Sequence, residues 1–224
     1  MLLNSTSAQR VSAKRILQPG ERISEVLFGL IMVLTFTGSI SIAEAGREDV
    51  RTMLIAALGC NIAWGIIDGV LYLMGCLADG GRSLSTYHGV RRATDAQEAQ
   101  QLITAALPPL LASVMESAEL DALHRRLREL PEPPARPRLS KVDWLGALGV
   151  FLLVFLSTFP VVLPFIFMGE ASAALRVSNA IAVTMLFVAG YAFARVTGAR
   201  PWVWGIWMIA LGAVLVGLTI ALGG

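Results

Sequence analysis

A single carboxylate in the middle of a long apolar run is the group in this chain best suited to chemistry. The run covers residues 53–77, and Asp68 lies near its middle. About 20 apolar residues are enough for a helix to cross the hydrocarbon core of a bilayer, where an acidic side chain costs about 2.5–3.5 kcal/mol. Such a group normally faces a partner, water or a transported ion. The sequence therefore predicts a membrane protein whose function centres on Asp68.

Two more polar residues lie on the same face of this predicted helix. Asn61 is two turns before Asp68, and Tyr72 is one turn after it. The sequence leaves two interpretations of this stripe open: an interhelical hydrogen-bond cluster of the kind that membrane bundles use, or the lining of an ion or proton path. Gly65 and Gly69 form a small-xxx-small pair beside Asp68, which would let another helix approach closely.

The first apolar run, 23–43, offers two further candidate ligands. Met32 lies near its midpoint, and Glu25 lies two turns earlier on the same face, near the predicted cytoplasmic mouth. Because consecutive membrane helices are antiparallel, we expect Met32 at a depth similar to that of Asp68. A thioether suits softer transition metals and a carboxylate suits harder divalent cations, so the pair could bind Fe(II) or Mn(II). The alternatives are a packing role for Met32 and an interfacial charge at Glu25.

Five apolar runs predict an all-α, polytopic membrane protein with five transmembrane helices. Hydrophobic residues make up 55% of the chain and charged residues 15%, against about 25% charged residues in soluble domains. The runs are 23–43, 53–77, 144–168, 174–194 and 202–222. The predicted organisation is a cytoplasmic N-terminal segment at 1–22, helices one and two within 23–77, a cytoplasmic helical linker at 78–143, and helices three to five within 144–224.

The distribution of Lys and Arg predicts the orientation. One side of the predicted membrane protein carries 15 of the 18 basic residues and the other side carries 3. Basic residues concentrate in cytoplasmic loops. The N-terminus and the linker are therefore expected in the cytoplasm, and the C-terminus on the opposite side.

The linker is expected to be a small helical unit. Thr94 and Asp95, followed by Glu98, form a capping-box pattern for a helix running to about Ala106. Residues 77–89 are either a loop or an extension of the second membrane helix. Residues 110–130 have the periodicity of one amphipathic helix, and a proline-rich connector follows at 131–139.

Two further groups of residues are weaker candidates. Met115, Glu116 and Glu119 could bind metal on the linker helix, although a solvated acidic face is the simpler explanation. Pro160 and Pro164 would kink the third membrane helix and free backbone carbonyls. Those carbonyls could line a path, or the kink could serve packing alone.

Several function classes find no support. The sequence has no nucleotide-binding Gly loop, no nucleophile elbow and no HExxH motif. We therefore predict that the protein is not an enzyme, has no tightly bound cofactor and does not bind nucleic acid.

Three segments resemble the vacuolar iron transporter family of Fe(II)/Mn(II) transporters. They are LIAALGCNIAWG at 54–65, the Phe/Ser/Pro-rich stretch at 149–165, and the Ser…Leu-Phe…Gly…Ala-Arg…Thr-Gly pattern at 177–198. The order of helices and the insert between the second and third agree with that family. The resemblance implies a homodimer that exports Fe(II) or Mn(II) from the cytoplasm, in exchange for protons, along a path between the first two helices of both protomers.

The chain departs from the family pattern at the positions that matter most. Met32 occupies the family's acidic position in the first helix, and Asp68 aligns with the family's methionine in the second. Tyr72 replaces a second acidic residue. The resemblance thus predicts a divergent member with exchanged ligands. The alternative function is a non-transporting membrane scaffold or sensor whose linker binds a partner.

Overall fold

The described structure is entirely helical, as the sequence predicts. A computed structural model describes residues 19–38 and 47–221, and no strand forms within these ranges. The helices are α1 (Pro19–Gly38), α2 (Arg47–Arg92), α3 (Ala96–Ala106), α4 (Pro109–Val114), α5 (Ser117–Glu129), α6 (Lys141–Ser157), α7 (Phe159–Phe167), α8 (Ala171–Thr197) and α9 (Pro201–Ala221).

Four helical segments in the described part of the chain are long and apolar enough to cross a membrane. They are Leu54–Arg92, Lys141–Phe167, Ala171–Thr197 and Pro201–Leu218. These segments contain most of the second to fifth predicted runs. The first run begins within α1, but residues 39–43 lie outside the described residues, so the total of five spans stays a prediction.

The chain divides into two compact units. One unit, which we call the membrane unit, comprises the described residues up to Tyr72 together with those from Trp144 onwards, and the other, the linker unit, is Leu73–Asp143. The core of the membrane unit is formed by buried apolar side chains of α1, α7 and α8: Leu30, Val33, Leu34, Val161, Val162, Ala182 and Leu186. These contacts hold α1 against the helices of the C-terminal half.

Helix α2 is far longer than the apolar run that predicted it. It contains 46 residues, which corresponds to about 69 Å at 1.5 Å per residue. Of the two structures expected for residues 77–89, the loop is wrong and the extension of the second helix is correct. Tertiary contacts stabilise this extension, because Val90 is buried in the linker core and the Tyr87 hydroxyl donates to Leu127 O at 3.0 Å.

The glycine pair of α2 lies against α6, as the small-xxx-small pattern predicts. A Cβ atom at Gly65 would lie 2.9 Å from the ring of Phe151, and one at Gly69 would lie 3.3 Å from the carbonyl oxygen of Ala147. Residue numbers rise along α2 as they fall along α6, so the two helices are antiparallel. A side chain at either glycine would separate them.

The third membrane helix is interrupted beside Pro160, one of the two prolines at which the sequence predicts a kink. Helix α6 ends at Ser157 and α7 begins at Phe159, with Thr158 between them. Pro160 lies in the first turn of α7, where its missing N–H is tolerated. Its ring is nevertheless incompatible with an uninterrupted helix through this point.

The linker unit confirms one predicted helix and corrects another. The predicted N-cap of α3 is present, since Asp95 accepts from Glu98 N at 2.6 Å. Glu98 accepts in return from Thr94 N at 3.1 Å, one residue before the N–H that a capping box uses. The single amphipathic helix expected at 110–130 is instead two helices, α4 and α5. The chain breaks at Met115, because Glu116 and Glu119 form a capping box that begins α5.

Candidate metal path along α1 and α2

The environment of Asp68 leaves one of its two carboxylate oxygens without a hydrogen bond to the described residues. Its side chain is partly buried in the membrane unit. One carboxylate oxygen, Oδ2, is shielded from solvent and has no hydrogen-bond partner among the described residues. Burying a polar atom without a hydrogen bond is costly. A cation or a proton would remove that cost.

Asn61 fixes α2 to α6 with one end of its amide and leaves the other end unused. Its Nδ2 donates to Phe155 O at 3.1 Å and to Thr158 Oγ1 at 2.8 Å. Because a backbone carbonyl can only accept, this contact identifies the nitrogen end of the amide. The other atom, Oδ1, is buried and has no hydrogen-bond partner in the described part of the protein, and the residue is 0% exposed. The amide nitrogen of Asn61 thus makes the interhelical hydrogen bonds that a packing role predicts. Its amide oxygen keeps no partner among the described residues, as a role in an ion path would require.

Two contacts fix the register of α1 against α2. The sulfur atoms of Met32 and Cys60 are 3.8 Å apart, and the rings of Phe28 and Trp64 meet edge to face with centroids 5.4 Å apart. From the first contact to the second, the residue number falls by four on α1 and rises by four on α2. The two helices are therefore antiparallel. One further turn brings Glu25 to the axial level of Asp68. We call the two facing pairs, Met32–Cys60 and Phe28–Trp64, together with the level of Glu25 and Asp68 one turn beyond them, the α1–α2 seam.

This register corrects the expected pairing of Met32 with Asp68. Met32 faces Cys60, which lies eight residues before Asp68 on the same helix. Eight residues correspond to about 12 Å along the axis. Within one protomer the carboxylate and the thioether are thus two turns apart, and Glu25 replaces Met32 as the α1 residue at the level of Asp68. Both residues lie near the midpoints of their apolar runs, but the two helices are offset along their axes.

Tyr72 ends the polar stripe of α2 against α6. A Cβ atom at Gly146 would lie 2.5 Å from carbon atoms of the Tyr72 ring, so the ring packs directly on the backbone of α6. Asn61, Gly65, Gly69 and Tyr72 therefore all face one helix.

Cys60 is a further candidate ligand, which no pattern in the sequence indicates. A thiol in an apolar run is usually a packing residue, and nothing in its spacing indicates the thioether of Met32. Thiol and thioether are both soft ligands, so the seam places soft sulfur donors at one level and oxygen donors, Glu25 and Asp68, at another.

A single chain does not complete a metal centre in the described residues. No three His, Cys, Asp or Glu side chains lie together in a group able to hold an ion within residues 19–38 and 47–221. Divalent ions require more ligands than one carboxylate pair supplies. A complete site along the seam would therefore need backbone, water or a second copy of the chain.

The linker candidates have local structural roles. Met115 packs against the core formed by Val90, Ile103 and Leu120. The carboxylate of Glu119 accepts from Glu116 N at 3.0 Å. The acidic pair is therefore used to start α5.

We expect Glu116→Gln combined with Glu119→Gln to leave metal flux and thermal unfolding nearly unchanged. Glutamine keeps the acceptor that a capping box requires and removes only the charge. The matched pair Glu116→Ala and Glu119→Ala should instead lower the stability of the linker unit by about 1 kcal/mol, because it removes the cap. Hydrogen exchange in α5 measures that loss. A large fall in flux for the glutamine pair would identify these residues as metal ligands.

The two prolines of the third span occupy different surroundings. Pro164 is buried in the membrane unit, within α7. Pro160 lines a cleft of about 700 Å³ beside Arg176 and Met185. Neither residue is placed on the α1–α2 seam by a described contact, and a path-lining role remains a prediction.

These features define an integral, multi-pass helical membrane protein with a carboxylate inside a spanning helix. The family model of the VIT family matches residues 86–224, which is more than half of the chain. The chain belongs to the VIT family, the vacuolar iron transporter family, as the resemblance in its sequence predicts. Membership indicates a metal-ion transporter, and members are transporters rather than enzymes. No curated protein matches the chain.

The family match begins within the second half of α2. It includes the linker helices and α6 to α9, with the segments at 149–165 and 177–198 that carry the resemblance. Residues 1–85 lie outside it, and these include Glu25, Met32 and Asp68. The membrane scaffold is thus assigned by the family, whereas the roles of the seam residues depend on their geometry.

Proposed function

We propose that the protein transports divalent transition-metal ions, Fe(II) or Mn(II), out of the cytoplasm. The observation that carries this proposal is the Asp68 carboxylate, held in a membrane helix with one shielded oxygen that has no hydrogen-bond partner in the described structure. In a chain of the VIT family, a cation is the natural occupant of such a position. Oxygen donors at this level favour Fe(II) and Mn(II) over softer ions.

The α1–α2 seam supplies a route past this position. Glu25 and Asp68 share one level by the register of the helices, and the Met32–Cys60 sulfur pair, at 3.8 Å, lies about two turns further along. The rings of Phe28 and Trp64 lie between the two levels. An ion would pass from oxygen ligands through an aromatic constriction to sulfur ligands, with Asn61 Oδ1 as a further oxygen beside the route.

A homodimer would complete the coordination. Two copies related by a twofold axis would place two Glu25 and two Asp68 around one ion. This arrangement supplies four carboxylates where one chain supplies two. The exposed side of α2 is strongly apolar and suits a second copy or lipid; it carries Ile62, Ile66, Ile67, Val70 and Leu71.

Protons would serve as the counter-ion. When the metal leaves, carboxylates in an apolar surrounding bind protons readily because burial disfavours the charged form. Alternate occupation by metal and protons would then allow a proton gradient to drive export. The concentration of basic residues on one side of the predicted membrane protein supports a cytoplasmic N-terminus, and hence export from the cytoplasm.

One flux experiment decides the proposal. Purified protein in liposomes, with its orientation determined by protease protection of a terminal tag, is given Fe(II) or Mn(II) on one side, and ion uptake and internal pH are recorded together. We expect transport of both ions above empty liposomes and competition between them. Absence of flux for every transition metal from well-folded dimers would reject the proposal.

The exposed apolar side chains of α4 favour the second candidate function, a scaffold or sensor. This short helix exposes apolar side chains, with Leu110 at 77% and Val114 at 66% exposure. Exposed apolar groups on a linker often mark an interaction site. A scaffold would show no flux in the liposome experiment, so the same measurement separates the two functions.

A further inference from the structure

A cleft between α1 and α6 is separate from the α1–α2 seam. The two helices meet closely at Gly29, where a Cβ atom would lie 2.8 Å from the carbonyl oxygen of Val154. Towards the first turns of both helices they border an open groove of about 620 Å³, which Met185 of α8 also lines. Its lining is Arg22, Val26, Leu145, Gly149, Leu152, Leu153, Leu156, Ser157 and Met185.

The cleft is apolar along its length and carries one positive charge at its end. Within the described part of the chain, Arg22 is the one charged residue that lines the cleft, and it forms no ion pair there. Ser157, the other polar residue, already donates its hydroxyl to Val154 O at 2.8 Å. The positive end of the α1 helix dipole lies beside Arg22 and adds to its field. An occupant must therefore be apolar for most of its length and negative at one end.

The length of the cleft suits an extended acyl chain. Its lining on α6 runs from Leu145 to Ser157, which is about 18 Å at 1.5 Å per residue. Water would be unfavourable there, because Leu145, Leu152 and Leu156 expose apolar surface to it.

We propose that this cleft binds an anionic phospholipid, with one acyl chain between α1 and α6 and the phosphate on Arg22. Basic pockets between membrane helices are known to take anionic headgroups. The site involves none of the seam residues, so it stands independently of metal transport.

Lipid retention in native mass spectrometry tests the proposal. Delipidated protein is titrated with phosphatidylglycerol or phosphatidylcholine of the same acyl chains. We expect one phosphatidylglycerol per protomer to bind in preference to phosphatidylcholine. Arg22→Gln should weaken phosphatidylglycerol binding about fivefold, the factor that one arginine near an anionic surface contributes, and should remove the preference. Arg200→Gln, an exposed arginine outside the cleft, is the matched control and should bind as the wild type does.

A second variant tests the apolar part of the site. Leu152→Trp would fill the cleft without changing charge, and it should lose both lipids while the unfolding temperature stays close to that of the wild type. Equal binding of the two lipids by the wild type, or unchanged binding in Arg22→Gln, would overturn the proposal. So would displacement of bound phosphatidylglycerol by millimolar inorganic phosphate, which would show that only an anion is recognised. Loss of the dimer in Leu152→Trp with lipid binding intact would assign the cleft to a second copy instead.

Discussion

Asp68→Asn should reduce Fe(II) and Mn(II) flux to the level of empty liposomes. Asparagine keeps the shape and the oxygen but removes the full negative charge. A carboxylate about 4 Å from a dication gains on the order of 8 kcal/mol of gross Coulomb energy at an effective dielectric of about 20. Even a small part of that energy determines whether an ion leaves its water shell to enter the seam. Initial rates of metal uptake, at matched protein density, measure the effect.

The stability of the same variant separates a functional carboxylate from a structural one. Asp68 Oδ2 has no hydrogen-bond partner among the described residues, so replacing the carboxylate by an amide should leave the unfolding temperature unchanged or raise it. A carboxylate required for packing would lower it instead. Asp79→Asn is the matched control, because Asp79 is on the same helix but is exposed and paired with Arg82. Normal flux in Asp68→Asn, or an equal loss in Asp79→Asn, would contradict the assignment of Asp68 as a ligand.

Local patterns were sufficient to predict much of this fold. The glycine pair Gly65 and Gly69 identified the face of α2 that meets another helix, and α6 lies there. Pro160 located the break between α6 and α7. The N-cap of α3 followed from Asp95 and Glu98. In each case the physical cause is local, since it depends on backbone freedom or on a hydrogen bond within one turn.

Features that depend on tertiary contacts were harder to predict. The extension of α2 to Arg92 depends on Val90 entering the linker core and on the bond from Tyr87 to Leu127. The division of residues 110–130 depends on Glu116 acting as a cap, although its neighbours have the periodicity of one continuous helix. Periodicity identifies which residues are buried, but it does not identify where one helix ends and the next begins.

The candidate site shows the same limit. Residue types in the sequence were sufficient to single out Asp68, Asn61 and Glu25. The vertical offset of α1 against α2 was not predictable, because it depends on which side chains fit between the helices. The contacts of Met32 with Cys60 and of Phe28 with Trp64 set that offset. In this register Met32 lies about two turns from Asp68, and Glu25 lies at the level of Asp68.

This offset predicts different effects at the two α1 positions. Glu25→Gln should lower the flux of both Fe(II) and Mn(II) strongly, because it removes the carboxylate at the level of Asp68. Met32→Leu should keep most Mn(II) flux, since Leu and Met have similar volumes and Mn(II) prefers oxygen ligands. It should reduce transport or inhibition by softer ions such as Cd(II), which the Met32–Cys60 pair would bind. Uptake of each ion, measured separately and in competition, gives the comparison.

The controls for this comparison use the same substitutions elsewhere in the chain. Met74→Leu changes an exposed methionine of α2 and should alter neither flux nor ion preference. Glu170→Gln changes an exposed carboxylate before α8 and should behave like the wild type. If Met32→Leu abolished Mn(II) flux while Glu25→Gln left it intact, the thioether would be the principal ligand. The oxygen ligands of the path would then lie elsewhere than at the shared level of Glu25 and Asp68.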